Sequence, residues 1–543
     1  VVIEGSEFCF DLVKVPPEHA CLFMRNSACR MMLSLVLAFA PLVFAAGKAE
    51  HVVLIVWDGM RPDFITEQNT PALHQLAKDG VLFSNHHSVY CTSTEVNGTA
   101  IATGAYPEHS GIIANRLYLP AIDPLEPVDT QKPEVVRKGD DVSGGHYLLR
   151  PTLAEILRAT GKSAVIAGSK QVALLHYRLP RPDEPGGDVT LFAGETLPPS
   201  LGARLQQSLG PFPAEVRKSS SRPNEPRDEW TTRALTGPLW SGPIPACSLL
   251  WLSEPDFSQH AAGPGSRKAL AAIRSSDRKL AAVLAELKRR GLRDKTDVFV
   301  VSDHGFSTVE RSVDVCQTLA KAGFPAYRQF KSAPKAGDVL VVGAGGSILF
   351  YIIGHQAETT RRLVDFLEQQ DFAGVLFTKE PMGGAFTLDD AHINSANAPD
   401  LVLSMRWSAG EGNADAPGLQ ISDGNSKPGQ GNHGSLSRFD VNNILIGAGP
   451  DLKSGYTDTM PSGNTDLAPT ILWLLGVNPE ASMDGRVLTE ALTIDGPLAG
   501  QPSTRTLERT CTGEHFVWRQ YLQVSRVNQT AYLDEGNGSV ERR

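Results

Sequence analysis

From residue 50 onward the chain alternates short apolar runs with longer segments in which apolar residues recur every three or four positions. Parallel strands covered by helices on both faces leave this pattern, because such strands are buried on both sides and the helices on one. The run 51–57 (HVVLIVW) predicts a buried strand ending at Asp58-Gly59. Thr70-Pro71 then opens a helix with Leu73, Leu76 and Ala77 on one face, stopped at Gly80. The theme returns with a helix over 152–160 (Leu153, Ile156 and Leu157 inward), Gly161 as its stop, and a strand over 163–167. Leu280, Val283, Leu284 and Leu287 follow the i, i+3, i+4, i+7 spacing of a third helix, closed by Gly291. The strand 298–301 (VFVV) follows and runs into Ser302-Asp303-His304-Gly305. The sheet is expected to resume at 443–447, with a last core helix over 466–475.

Two stretches break this rhythm. Residues 180–230, rich in Pro, Gly and charge, are expected to form a surface insertion or lid. Residues 306–430 hold apolar runs of their own (VLVV, SILFYIIG) and a helical stretch near 358–370, and predict a smaller inserted cap. The expected organisation is an extension over 1–46, a catalytic domain over 47–499 interrupted by the insertion and the cap, and a C-terminal extension over 500–543. The fold class is α/β, with a mostly parallel central sheet between two helical layers.

Composition narrows the class. With 41% hydrophobic and 20% charged residues the chain is globular, and 60 acidic against 51 basic residues argue against a general nucleic-acid binder. Met31 to Ala46 is an uncharged apolar run behind Arg25 and Arg30, the layout of an export signal cleaved near Ala45. It is shorter than the ~20 residues that span a bilayer. The acidic residues Glu4, Glu7, Asp11 and Glu18 suit no signal n-region, so Met24 is the expected start. Cys91, Cys247, Cys316 and Cys511 remain in the expected mature chain, too few and too widely spaced for a disulfide framework or a CxxC zinc motif.

Open α/β sheets bind ligands beyond the carboxyl ends of their strands. Asp58 follows the first strand, Asp256 and His260 follow the apolar run 248–252, Asp303 and His304 follow VFVV, and His433 lies in a Gly-Asn-His-Gly loop before the strand at 443. Each alone reads as a cap or a loop residue. Together, three carboxylates and three imidazoles make a ligand set for two divalent metals, which suits phosphoryl transfer. A hydroxyl-rich segment, Cys91-Thr92-Ser93-Thr94, stands before a helix of small residues.

The order VWDGMRPD, TEVNGTAIATGAYPEHSGIIAN, EPDFSQH, SDHGFS and GNHGS resembles the alkaline phosphatase superfamily, and more narrowly its type I phosphodiesterase/nucleotide pyrophosphatase branch. The resemblance covers roughly 50–177 and 230–495. It implies Thr94 as a nucleophile that takes the phosphoryl group. One zinc would be held by Asp58, Thr94, Asp303 and His304, a second by Asp256, His260 and His433. Asn115 would donate to a phosphoryl oxygen. The expected substrate is a small phosphate ester or anhydride. These roles are chemically consistent, since metal coordination makes a poor hydroxyl nucleophile competent and an amide stabilises charge without titrating. Cys91-Thr-Ser-Thr-Glu does not match the context in which sulfatases form formylglycine, and Cys91 is expected to be a packed thiol or half of a bridge.

Two positions depart from that pattern or add to it. Nucleotide-cleaving members carry an aromatic residue directly after the nucleophile, where this chain has Glu95. An acid there offers no stacking face; it can bind a cationic or hydroxyl-bearing leaving group, or face solvent. Lys170 follows another strand end, as a loop lysine or as a counterpart of the carboxylate-binding lysine of phosphonoacetate hydrolases. Phosphonate or phosphomonoester hydrolysis, and a metal-binding protein without catalysis, are the alternatives.

Overall fold

The structure, a computed structural model, describes residues 47–180, 187–217, 220–494 and 496–543, with Asn413 described by its backbone alone. The expected export signal lies outside the described residues.

Nine strands form the central sheet: β1 (His51–Trp57), β2 (Val81–Phe83), β3 (Ala164–Gly168), β4 (Val189–Phe192), β5 (Glu195–Leu197), β6 (Cys247–Leu252), β7 (Thr296–Val301), β8 (Leu445–Ala448) and β9 (Tyr456–Asp458). Their order is β9-β2-β8-β7-β1-β6-β3-β4-β5. The core pairs β7/β1, β1/β6, β6/β3 and β3/β4 are parallel, whereas β8 runs antiparallel to both its neighbours. Alternate side chains of β1 enter two separate cores. Val52, Leu54 and Val56 pack with Val96, Ile101, Leu157, Leu467 and Ile471, while Val53, Ile55 and Trp57 pack with Leu73, Leu76, Ile273, Leu280 and Val283. A strand buried on both faces has no polar position to spare, which is why its sequence shows no alternation. Each such side chain contributes about 1.5–3 kcal/mol of burial. The helix Leu153–Ala159 begins with a capping box between Thr152 and Glu155, and Pro71–Asp79 has Pro in its first turn and ends at Gly80.

The segment expected as a surface lid contributes to the core. β4 and β5 extend the central sheet, and helix Glu225–Thr236 buries Trp230, Ala234 and Leu235 against it. A strand of this kind can be as short as three or four residues, so VTLF suffices among prolines and charges. Residues 307–432 form two smaller sheets. One has six strands from Ala326–Tyr327 to Leu401–Met405, and one has four strands built on Ser307–Val313 and Pro417–Asp423. The C-terminal residues make an antiparallel three-stranded sheet, Pro502–Thr512, Phe516–Val527 and Thr530–Arg542. Its Trp518 is buried in the core of the six-stranded sheet, and Leu522, Ala531 and Leu533 join the main core. The four described cysteines are free, and Cys91 is buried. No helix among the described residues is long and apolar enough to cross a membrane.

Candidate active site

Register brings the strand ends level. Val56 pairs with Val301, Trp57 with Leu252, and Gly168 with Trp251. Asp58, Asp303, the loop to Asp256 and Lys170 therefore leave the sheet at one edge. Hydrogen bonds tie these loops together: Asp256 N donates to Asp58 O at 2.8 Å, Gly59 N to Asp303 Oδ1 at 3.0 Å, and Gln259 Nε2 to Gly59 O at 2.7 Å. Gly59 sits at φ +73°, and a Cβ there would press on the Phe306 ring at 3.0 Å and Asp256 Cα at 3.2 Å. Only glycine meets both demands.

The three histidines are oriented alike. Each Nδ1 faces a backbone carbonyl: His304 that of Gly305 (2.9 Å), His433 that of Thr92 (2.8 Å), His260 that of Gly431 (3.2 Å). A carbonyl only accepts, so Nδ1 carries the proton, and in the neutral ring Nε2 presents a lone pair. Those lone pairs face carboxylates. His260 Nε2 and His433 Nε2 lie 3.2 and 3.6 Å from Asp256 Oδ1, and His304 Nε2 lies 3.4 Å from Asp303 Oδ2 and 3.8 Å from Asp58 Oδ1. All three oxygens are buried without a hydrogen-bond donor. Acceptors aimed at acceptors repel one another, and a cation among them turns the repulsion into coordination. The ligand atoms of Asp256, His260 and His433, and of Asp58, Asp256 and His304, lie within 4.8 Å of one another in each group. The donor set thus fits metal ions, and the Nδ1 bonds are the outer contacts that orient ligating imidazoles.

Burial, reinforced by Asp303, holds the Asp58 carboxyl well above the usual carboxylate range. For Asp256 the burial penalty is outweighed by the Lys170 ammonium, which keeps the carboxyl well below that range. Burial, followed by His304 and His260, pushes His433 well below the usual imidazole value, so the ring is neutral. Lys170 Nζ lies 2.8 Å from Asp58 Oδ2 and 3.3 Å from Asp256 Oδ2, the oxygens that point away from the histidines. Despite its burial, these carboxylates hold the ammonium charged. One ammonium thus stands among three carboxyl groups.

Thr94 opens helix Thr94–Thr103, whose ten residues are all buried. Its Oγ1 stands 3.3 Å from His304 Nε2. Gly98 lets the helix pack closely, since a Cβ there would meet Val172 Cγ2 at 2.7 Å. Asn115 Oδ1 accepts from Glu95 N at 3.1 Å. A backbone donor fixes which end of the amide faces it, so the Asn115 NH₂ is turned elsewhere as a donor. Glu95 is buried, and burial followed by Asp129 raises its carboxyl to about 8.

Several supports carry no local signal in the sequence. Trp251 Nε1 donates to Asp58 Oδ2 at 2.9 Å from inside β6, where an apolar run hides it. Asp228 Oδ1 accepts from Ser169 Oγ (2.6 Å), Ser253 N (2.7 Å) and Ser253 Oγ (2.9 Å), binding together the loops that carry Lys170 and Asp256. It lies in a charged stretch indistinguishable from surface. The six-stranded sheet braces His433, whose carbonyl accepts from Gly346 N at 2.8 Å.

A mostly parallel sheet between two helical layers, with a carboxylate–imidazole cluster fit for metal ions and a buried helix-opening hydroxyl at its strand ends, defines a protein of alkaline phosphatase-like fold. Residues 52–435 match the family model described as type I phosphodiesterase / nucleotide pyrophosphatase, and the chain belongs to that family of phosphodiester and pyrophosphate hydrolases. It is 25% identical over 280 residues to the bis(5'-adenosyl)-triphosphatase enpp4 of Mus musculus, a match spanning 51% of this chain and 52% of the relative. The chain thus spans about half the length of that relative. It is 23% identical over 473 residues to ectonucleotide pyrophosphatase/phosphodiesterase family member 7 of Homo sapiens, spanning 86% and 89%. Murine ectonucleotide pyrophosphatase / phosphodiesterase 5 shares the fold with a TM-score of 0.57 and 16% identity, over 82% of this chain and 100% of that one. An inactive form of the same murine protein, in complex with AMP, aligns with a TM-score of 0.55, 18% identity and the same coverage.

Proposed function

We propose that the chain is an exported phosphodiesterase/nucleotide pyrophosphatase that cleaves phosphate diesters or phosphoanhydrides through a phospho-threonine on Thr94. The observation that carries this is the convergence of three imidazole lone pairs and three unpartnered carboxylate oxygens beside the Thr94 hydroxyl. Asp58, Thr94, Asp303 and His304 would hold one zinc, and Asp256, His260 and His433 the other. When bound, the two ions supply positive charge that lowers the pKa of the Thr94 hydroxyl and neutralises the departing oxygen. Thr94 Oγ1 forms the new bond to phosphorus as the bond to the leaving oxygen breaks, and water then releases the phosphoryl group from Thr94. Asn115, held by the Glu95 amide, directs its NH₂ at a phosphoryl oxygen. The names of the relatives, a bis(5'-adenosyl)-triphosphatase and an AMP complex among them, make nucleoside phosphates candidate substrates. Lys170 is engaged by Asp58 and Asp256, which favours ester or anhydride cleavage over recognition of a substrate carboxylate in a phosphonate.

The test is Thr94→Ala, assayed on p-nitrophenyl phosphodiesters with metal content measured in parallel. Turnover is expected to fall by more than about 10³-fold, comparable to the loss of a key transition-state contact, with zinc largely retained. Near-normal turnover overturns the assignment. Chelation is expected to inactivate the protein and zinc to restore it; bound metal without hydrolysis of diesters, monoesters, nucleotide pyrophosphates or phosphonoacetate would instead indicate a silent metal-binding protein.

A further inference from the structure

Glu95 stands next to Thr94 in the first turn of the buried helix, only 2% exposed, and its Oε2 is buried with no hydrogen-bond donor. Leaving a buried acceptor unpaired is costly, and more so if it is charged. Such a group in a native structure calls for a partner, which a water, an ion or a bound ligand can supply. The backbone around it is pinned: its N–H donates to Asn115 Oδ1 at 3.1 Å, and its carbonyl accepts from Thr99 Oγ1 at 2.7 Å. The side chain therefore keeps its place beside both the nucleophile and the amide that faces the phosphoryl group.

A second acid belongs to the same neighbourhood. Arg116, directly after Asn115, pairs with Asp129 across a short antiparallel ladder, and Thr130 N donates to Asn115 O at 3.0 Å. Tyr147 Oη closes this corner by donating to Thr130 O at 2.7 Å. Asn115 is thus held by the Glu95 backbone on one element and by Thr130, next to Asp129, on another. A carboxyl group has no ring face on which a base could stack. What it offers is an unused acceptor.

Resting on the phosphodiesterase assignment, we propose that Glu95 is a specificity-determining residue: its Oε2 accepts a hydrogen bond from a substituent on the phosphorus. The favoured substrates carry a hydroxyl or ammonium donor close to the phosphate. A polar acceptor built into a buried site discriminates strongly against analogues that lack the matching donor, because binding them leaves the acceptor unpaired.

Three p-nitrophenyl phosphodiesters of similar size test this, with propyl, 2-aminoethyl or 2,3-dihydroxypropyl as the second substituent, on the zinc-loaded full chain. The expected kcat/KM for the two donor-bearing esters exceeds that for the propyl ester by about 10-fold or more. Glu95→Leu brings both ratios close to one. The isosteric Glu95→Gln keeps preference for the dihydroxypropyl ester, because its carbonyl still accepts, and loses it for the aminoethyl ester. Zinc content and circular dichroism establish that each variant is folded, and the Gln variant carries the test alone if the Leu variant is not. Equal ratios in wild type and variants overturn the proposal while leaving diester hydrolysis intact. Absence of turnover of all three esters by the wild type overturns the phosphodiesterase assignment instead. The same three-ester comparison, read as affinity by calorimetry, then decides the role of Glu95: equal affinities reject it, and a donor preference lost in Glu95→Leu supports it.

Discussion

Asp58, Asp303 and His304 stand at the ends of the adjacent parallel strands β1 and β7 and are fully buried, whereas Asp256 and His260 ride on the short helix Asp256–Ala262 and His433 hangs from a loop braced by the six-stranded sheet. The His260 side chain is 26% exposed, against 0% for His304. The first half of the cluster is positioned by strand pairing, which is cooperative and shielded from water. The second depends on the docking of a separate sheet against a loop. In one site, then, one group of ligands comes with the core and the other is assembled by tertiary contact, so the second group is expected to hold metal less tightly and exchange it faster.

The largest expected effect comes from breaking the buried half. Asp303→Asn removes a ligand oxygen and places an amide NH₂ among lone pairs, and kcat/KM is expected to fall by more than about 100-fold, beyond the loss of an outer contact. His260→Ala is expected to cost less and to be rescued in part by raised zinc concentration. A stepwise chelator titration followed by metal analysis checks the contrast: loss in two stages, with His260→Ala removing the weaker stage, supports it, and a single stage would erase the distinction.

Asp228 refines the comparison, since it braces the loops of Lys170 and Asp256 without touching the predicted metal ligands. Asp228→Ala is expected to lower kcat/KM by about 10–100-fold and to weaken the more exposed metal stage first. Asp228→Asn, whose carbonyl can still accept the same bonds, is expected to retain most activity. Equal losses in both variants would point to charge rather than positioning.

The smallest effect separates the scaffold from the site. His176 is buried among Leu54, Ile101, Ile166 and Leu249, its Nε2 lacks a partner, and burial lowers its pKa to about 3. The unfolded chain takes up a proton near pH 6.5 that the folded state refuses until about pH 3, so stability falls as pH drops through this window. The slope is about 1.4 kcal/mol per pH unit for this one group. His176→Leu is expected to flatten the slope, gaining roughly 2 kcal/mol over wild type at pH 5 with little change at pH 8. Denaturant melts across pH read this directly, and an unchanged slope would contradict it.

Much of the scaffold could be read from the chain because its signals are local. HVVLIVW and VFVV are strands, Thr152 with Glu155 begins a helix, and the polar residues after apolar runs fall at the sheet edge. The segment 180–230 could not be read in this way. Its proline and charge density masks two short strands and a helix that enters the core, because strands of three or four residues need few apolar positions. Trp251 and Asp228 were equally hidden, one inside an apolar strand and the other in a charged helix, since neither position differs locally from ordinary core or surface.

The sequence by itself determined which residue types stand at which strand ends, since a continuous apolar run has one way to be buried and its polar successor must leave the sheet. Tertiary structure alone decided how they face one another. Lys170 meets Asp58 across 112 residues, Thr94 meets His304 across 210, and His433 is oriented by Thr92 across 341. Whether Glu95 meets solvent or lies buried without a donor was likewise open in the sequence, because burial belongs to the packed whole and not to any one segment.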